Sequence, residues 1–422
     1  MRLVRIGILA IIAFAVLSHG AVEPWARGIL ETAAGALLVL WAVLFLFSRK
    51  ENEIVLPPLF YPLAALTVLV TLQLLFHLTA SAYSTRTELQ LMLSMLILFF
   101  LTAQSFRTLR EWRTFAWFVM LFAFLVAGFG ILQHLTFNGK LYWFRELYYG
   151  GIPFGPYVNR NHFAGFAELV LPMSLVPLLL GRVRRERLVI VGILAILPVS
   201  ALLLSASRGG VISLAAELTF LILVLFLRRT AGRHLVAGGV VLLLALLTVS
   251  WLGVSQILAR FSSLQTLEVT KDKRASMRHG AWRIFVDHPV LGTGLGTLQQ
   301  VYPPYETIYD GKIVNHAHND YLEALADTGL LGGLCCAWFL ATLSIGALRF
   351  MQAGGNSFAG TLRLCGWTAC WGLLVHSLVD FNLHIPSNLL LFLLMSLLAT
   401  AEIQEAIPAK VRVKNHRGAE KP

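Results

Sequence analysis

Apolar residues in this chain come in long runs rather than alternating. Stretches close to the roughly 20 residues that a helix needs to cross a bilayer lie near 5–21, 28–48, 56–77, 88–106, 114–135, 163–181, 188–206, 211–227, 235–257, 329–348, 364–381 and 386–403. Twelve such stretches with short polar breaks predict an all-α integral membrane protein. The first has no clear small-x-small cleavage site before Glu23, so it reads as a helix rather than a signal peptide. Two breaks are longer than connectors need to be, 136–162 and 258–328, and the second is expected to form a small helical cap. The organisation is then nine helices and the first long loop within 1–257, the cap loop 258–328, three more helices within 329–403 and a basic tail over 404–422.

Composition agrees. Of 422 residues 57% are hydrophobic and 13% charged, whereas a soluble domain has about 25% charged. The net charge of +12 would suggest nucleic acid in a soluble protein. In a polytopic one the charges are sorted by side. With the N-terminus in the cytoplasm, most of the 34 Lys and Arg fall in cytoplasmic segments. Both termini are then cytoplasmic, and the expected partner is the bilayer, not nucleic acid. The four cysteines, Cys335, Cys336, Cys365 and Cys370, all sit in apolar runs and read as small packing residues.

Helix parity places the polar clusters of four loops on the opposite, outward face. The densest is Asn315-His316-Ala317-His318-Asn319-Asp320, directly before an apolar helix. His316 and His318 could begin a metal site, but no third ligand follows at useful spacing, so no metal is expected. The turn Ser205-Ala206-Ser207-Arg208-Gly209-Gly210 puts an Arg at the outer boundary, where it is either functional or snorkelling to lipid head groups. In the long loop, Arg274 and Arg278 share a helix face if 273–290 is helical, a spacing that suits an anion between them or a solvated basic face. Asn159-Arg160-Asn161-His162 precedes another helix, as caps or as glycan-binding groups. Finally, His376 and Asp380 are one turn apart and can pair, with Asn382, His384 and Asn388 close by. Glu31 and Glu217 stand alone in apolar runs. Arginines for an anion and a neutral imidazole for a proton are the parts needed to transfer a group away from a phosphate. The glycines from Gly292 to Gly296 have no strand before them, which argues against a dinucleotide cofactor.

The spacing His318-Asn319, nine residues, Gly329, two residues, Gly332 resembles the signature of the bacterial O-antigen ligases. So do the segment Asn159–Gly165, Ser207-Arg208-Gly209, Arg278-x3-Trp282, His376-x3-Asp380 and the long loop between the ninth and tenth helices. The resemblance covers nearly the whole chain. It implies an integral-membrane glycosyltransferase of the GT-C type in the bacterial inner membrane, with its active site facing the periplasm. Such an enzyme would move a glycan from undecaprenyl pyrophosphate to a hydroxyl of the lipid A–core oligosaccharide, with inversion and with neither metal nor cofactor. It further implies His318 as general base and Arg208 and Arg278 as pyrophosphate ligands. Arg160, Asn161, His162, Arg274, His316, Asn319 and Asp320 would then hold substrate or orient the base, with His376 and Asp380 behind them.

Two rival functions remain at this stage. A polysaccharide polymerase of the same superfamily would use the same donor but a second lipid-linked glycan as acceptor. A twelve-helix transporter would show repeated halves, and none are visible here.

Overall fold

The computed structural model describes residues 1–48, 53–147, 151–227, 239–240, 243–248, 250, 271–352 and 357–404. Helices occupy most of the described residues. In chain order they are α1 (Arg2–Leu17), α2 (Pro24–Leu46), α3 (Phe60–Leu75), α4 (Ala82–Ser105), α5 (Leu109–Leu135), α6 (Arg160–Val170), α7 (Pro172–Leu179), α8 (Leu188–Leu204) and α9 (Arg208–Leu227). They continue with α10 (Lys271–Asp287), the single turn α11 (Leu298–Val301), α12 (Asp320–Gln352), α13 (Phe358–His376) and α14 (Pro386–Thr400).

Every expected apolar stretch but the ninth overlaps a helix, and the ninth, 235–257, lies mostly outside the described residues. The count of twelve spans is not reproduced. Eight helical segments among the described residues are long and apolar enough to cross a membrane, with α6 and α7 acting as one segment. The helices α1, α3 and α14 are shorter, at 16, 16 and 15 residues. These helices make the chain a multi-pass membrane protein.

Helix starts follow local chemistry. Thr108 and Glu111 form a reciprocal capping box at the head of α5, with Thr108 N–H donating to Glu111 at 2.9 Å. Ser81 caps α4 and Ser357 caps α13. Pro172 breaks the α6–α7 segment because it has no N–H to continue the ladder. That segment lies wholly inside the bundle, packed against α13 and α14, and Glu168 is buried in its middle.

α12 carries the decisive irregularity. At Gly329 the backbone turns to φ 61°, ψ −161°, splitting the helix into an outer limb and a spanning limb. A break inside a membrane helix leaves amides and carbonyls that must find partners. The loop after α10 supplies them. Leu330 and Leu331 N–H donate to the carbonyls of Pro289 and Val290 at 2.8 and 3.2 Å, and Thr293 and Gly294 N–H donate to those of Ala326 and Asp327. Gln73 on α3 adds two bonds, to the Leu291 and Asp327 carbonyls at 2.7 and 3.1 Å. A Cβ on Gly329 would lie 2.4 Å from the Val290 carbonyl carbon, so only glycine fits.

The expected helix over 273–290 is found as α10 and ends at Asp287, just before Pro289. Its face of Met277, Ala281 and Ile284 packs with Leu298, Tyr302, Val314, Ala317 and Ala326 in a small core separate from that of the bundle. Buried Lys273 fastens the same helix, pairing with Glu306 at 3.3 Å and with Asp310.

Candidate active site

The connections alternate, so α6, α9 and α12 begin at one face of the bundle while α13 ends there. Arg5 and Gln404 lie at the other face, where Arg5 reaches the Ser105 carbonyl and Gln404 N–H donates to the Arg107 carbonyl.

At the first face four carboxylates organise four imidazoles. His318 Nδ1 lies 3.1 Å from Asp380 Oδ1, and the other oxygen of Asp380 accepts from Asn161 Nδ2 at 2.5 Å. With Asp380 holding the Nδ1 proton, the lone pair of His318 sits on Nε2, and the ring is 12% exposed. Burial disfavours a charge on Asp380, but the His318 hydrogen bond and the imidazoles of His318, His162 and His376 together outweigh it and hold the carboxyl well below the usual range. His318 itself has φ 51°, a left-handed backbone rarely adopted by a residue with a Cβ.

A second group lies alongside. Glu323 accepts from His316 Nδ1 at 2.7 Å and from the Ala317 N–H at 2.8 Å. His384 bridges carboxylates, with Nδ1 2.8 Å from Asp320 and Nε2 3.2 Å from Glu323. Burial works against a charge on His384, but Glu323 and Asp320 prevail and push it up to about 10. Phe381 fills the space between the imidazoles. His316 stacks on it at 4.2 Å, and His162 and His318 approach at steep angles, each at 4.9 Å.

The third group lies deeper, where His376 Nδ1 bonds Glu168 at 2.9 Å with both side chains fully buried. The expected pairing of His376 with Asp380 is therefore corrected. One turn of helix brings their backbones together at 3.1 Å, but their side chains diverge to Glu168 and His318. Gly209, next to Arg208, lies under the His376 ring, where a Cβ would come within 2.4 Å of Nε2. Arg208 thus sits at the head of α9 beside this pair.

The remaining predicted residues are placed as follows. Asn319 caps the outer limb of α12, accepting from Leu322 N–H at 2.9 Å and donating to the Leu378 carbonyl. Asp320 also accepts from Leu383 N–H. Arg160 and Asn161 open α6, and the His162 carbonyl takes the Asn388 amide at 2.9 Å. Arg274 and Arg278 lie on α10 beside its buried face, partly exposed, and take no ion-pair partner among the described residues. Met277 and Ala281, around Arg278, share a core with Ala317, between His316 and His318.

Sequence reasoning gave Glu168, Glu323 and Phe381 no part in the site, and named His384 only as a neighbour of His376 and Asp380. Glu168 carried a signal, a carboxylate in an apolar run. Glu323 is seven residues from His316 and one turn into a helix, which from sequence looks like a solvated face. His316, without its neighbour His318, meets two further groups that could hold a metal. One donor atom each of His316, Glu323 and His384 lie within 4.8 Å of one another, because the third ligand comes from a distant loop. Glu31, by contrast, simply pairs with Arg27 at 3.0 Å.

Fold and site together define a multi-pass membrane protein with an acid–base centre at one end of its helix bundle. Residues 169–337 match the family model described as O-antigen ligase. The matched segment contains Arg208, Arg278, His316, His318 and Glu323 but not Asn161, His376 or Asp380. No curated protein matches the chain.

Proposed function

We propose that the protein is an O-antigen ligase that transfers a glycan from undecaprenyl pyrophosphate to a hydroxyl of lipid A–core oligosaccharide at the periplasmic face of the inner membrane. The observation that carries this reading is the His318–Asp380 pair at the meeting of α6, α12 and α13. Asp380 orients the ring, and Nε2 takes the acceptor hydroxyl proton as the oxygen attacks the anomeric carbon. The bond from that carbon to the pyrophosphate oxygen breaks, and attack from the opposite side inverts the configuration. Arg208 and Arg278 bind the pyrophosphate and stabilise the charge that it gains on leaving. Arg274 and Arg160 flank the same anion. Asn161 and His162 bind sugar or hold the dyad in place.

The His316–Glu323–His384 group holds the loop that carries His318 and needs no metal to do so. Both oxygens of Glu323 and both ring nitrogens of His384 already have partners.

The test is transfer by the purified chain from lipid-linked glycan to lipid A–core, with chelator present. Transfer that survives chelator, and that is lost in His318→Ala, is the expected result. Loss with chelator would return His316, Glu323 and His384 to the role of metal ligands. Elongation of the lipid-linked glycan without transfer to lipid A–core would make the protein a polymerase.

A further inference from the structure

At the bundle face opposite the imidazoles, a cavity of about 270 Å³ opens between α5, α7, α8 and α13. Its mouth carries four exposed arginines, Arg113, Arg182, Arg184 and Arg187, and no acidic residue lines it. Glu186, exposed in the same turn, is outside the lining. Its wall is buried and apolar, formed by Ala116, Met120, Met173, Pro177, Val191 and Leu362. Two of the arginines are held by rings. The Arg113 guanidinium carbon lies 4.6 Å from the centre of the Phe358 ring, and that of Arg187 lies 5.6 Å from Trp117.

We propose that this cavity is a binding site for an anionic phospholipid. The phosphodiester sits among the four guanidinium groups, whose planar donors suit its oxygens. One acyl chain enters along the Met120–Met173 wall. A free phosphate has no use for that wall, and an uncharged lipid has no use for the arginines. The volume is below the roughly 300–1,000 Å³ that encloses a whole small ligand. This fits a site holding one end of a molecule whose remainder stays in the bilayer. General attraction of basic loops to an anionic leaflet requires neither the apolar wall nor the ring-held arginines.

The test is native mass spectrometry of the full chain released from vesicles of mixed phosphatidylglycerol and phosphatidylcholine. The wild type should retain phosphatidylglycerol about tenfold over its share of the vesicle. The double variant Arg113→Gln/Arg187→Gln should fall to the bulk ratio. Met120→Trp, which fills the apolar wall and keeps every arginine, should fall as well. Arg110→Gln, outside this cavity, should match the wild type. Should the double variant fail to fold, Arg184→Gln carries the charge test, with an expected loss of about fivefold. Excess glycerol phosphate should not displace the lipid, and displacement by it would overturn the acyl-chain half of the proposal. Enrichment that persists in the charge and Met120→Trp variants would overturn the site altogether.

Discussion

At the scale of single residues, one aspartate fixes what one histidine can do. Asp380 holds the Nδ1 side of His318, so the basic nitrogen is Nε2. Asp380→Asn keeps the shape but offers an amide that can present its N–H to the ring and favour the wrong tautomer. We expect the glycan transfer rate to drop by about 10²-fold or more with normal expression, measured on lipid A–core acceptor. A rate within a few-fold of wild type would remove Asp380 from the mechanism. His384 makes a different prediction. Folding raises its proton affinity, so it contributes stability that is complete below about 6.5 and lost as pH rises through about 10. Thermal unfolding between those pH values should fall for the wild type and be flatter for His384→Gln. Parallel curves would show that the bridge between Asp320 and Glu323 has no such role. His318, with its left-handed backbone, has a conformation that costs of order 1–3 kcal/mol. The bonds on either side of it, from Ala317 N–H to Glu323 and from Leu322 N–H to the Asn319 side chain, over-determine that turn.

At the scale of elements, the broken helix gives a physical reason for the glycine spacing that resembles the ligase signature. Gly329 is required by its positive φ and by the Val290 backbone against it. Gly329→Ala must strain both the break and the docked loop. We expect a loss of roughly 1–3 kcal/mol or more, read as a lower unfolding temperature in detergent. An unchanged temperature would mean that the break tolerates a Cβ. The apolar runs showed helices because apolar clustering is a local property. Eight runs appear among the described residues as helical segments long enough to cross and three as the shorter helices α1, α3 and α14, since an apolar run extends past the residues that keep helical backbone. The pairing of His376 was misread for the opposite reason. One-turn spacing brings two side chains within reach, but Glu168 on another helix competes for the ring, and nothing in the sequence near His376 announces it. The same limit hid the closeness of His384 to His316.

At the scale of the whole molecule, the outer layer and the bundle are joined by few elements. Lys273, Glu306 and Asp310 close the far side of the cap, and the small core around Met277 fastens its near side. Lys273→Ala leaves two acids without their buried cation. We expect limited proteolysis to cut faster near 306–312 while the bundle keeps its unfolding temperature. Equal cutting rates would mean that the apolar core alone fastens the cap. Which face collects the polar clusters was legible from helix parity, because parity is a counting argument. How those clusters divide into carboxylate–imidazole pairs depends on side-chain packing, which counting does not reach.

The break at Gly329 also has a consequence for how the chain is built. The segment from Asp320 to Gln352 would be a continuous rod if it folded by itself, because its own residues cannot satisfy the amides that the break exposes. The partners at Pro289, Val290, Thr293 and Gly294 are made before it during synthesis, and Gln73 well before that. The bend is therefore imposed when the rod meets chain that is already waiting. Because Asp320 and His318 sit at the tip of the outer limb, the His318 imidazole meets Asp380 only at that late docking step, which leaves the immature protein in the membrane without the assembled cluster.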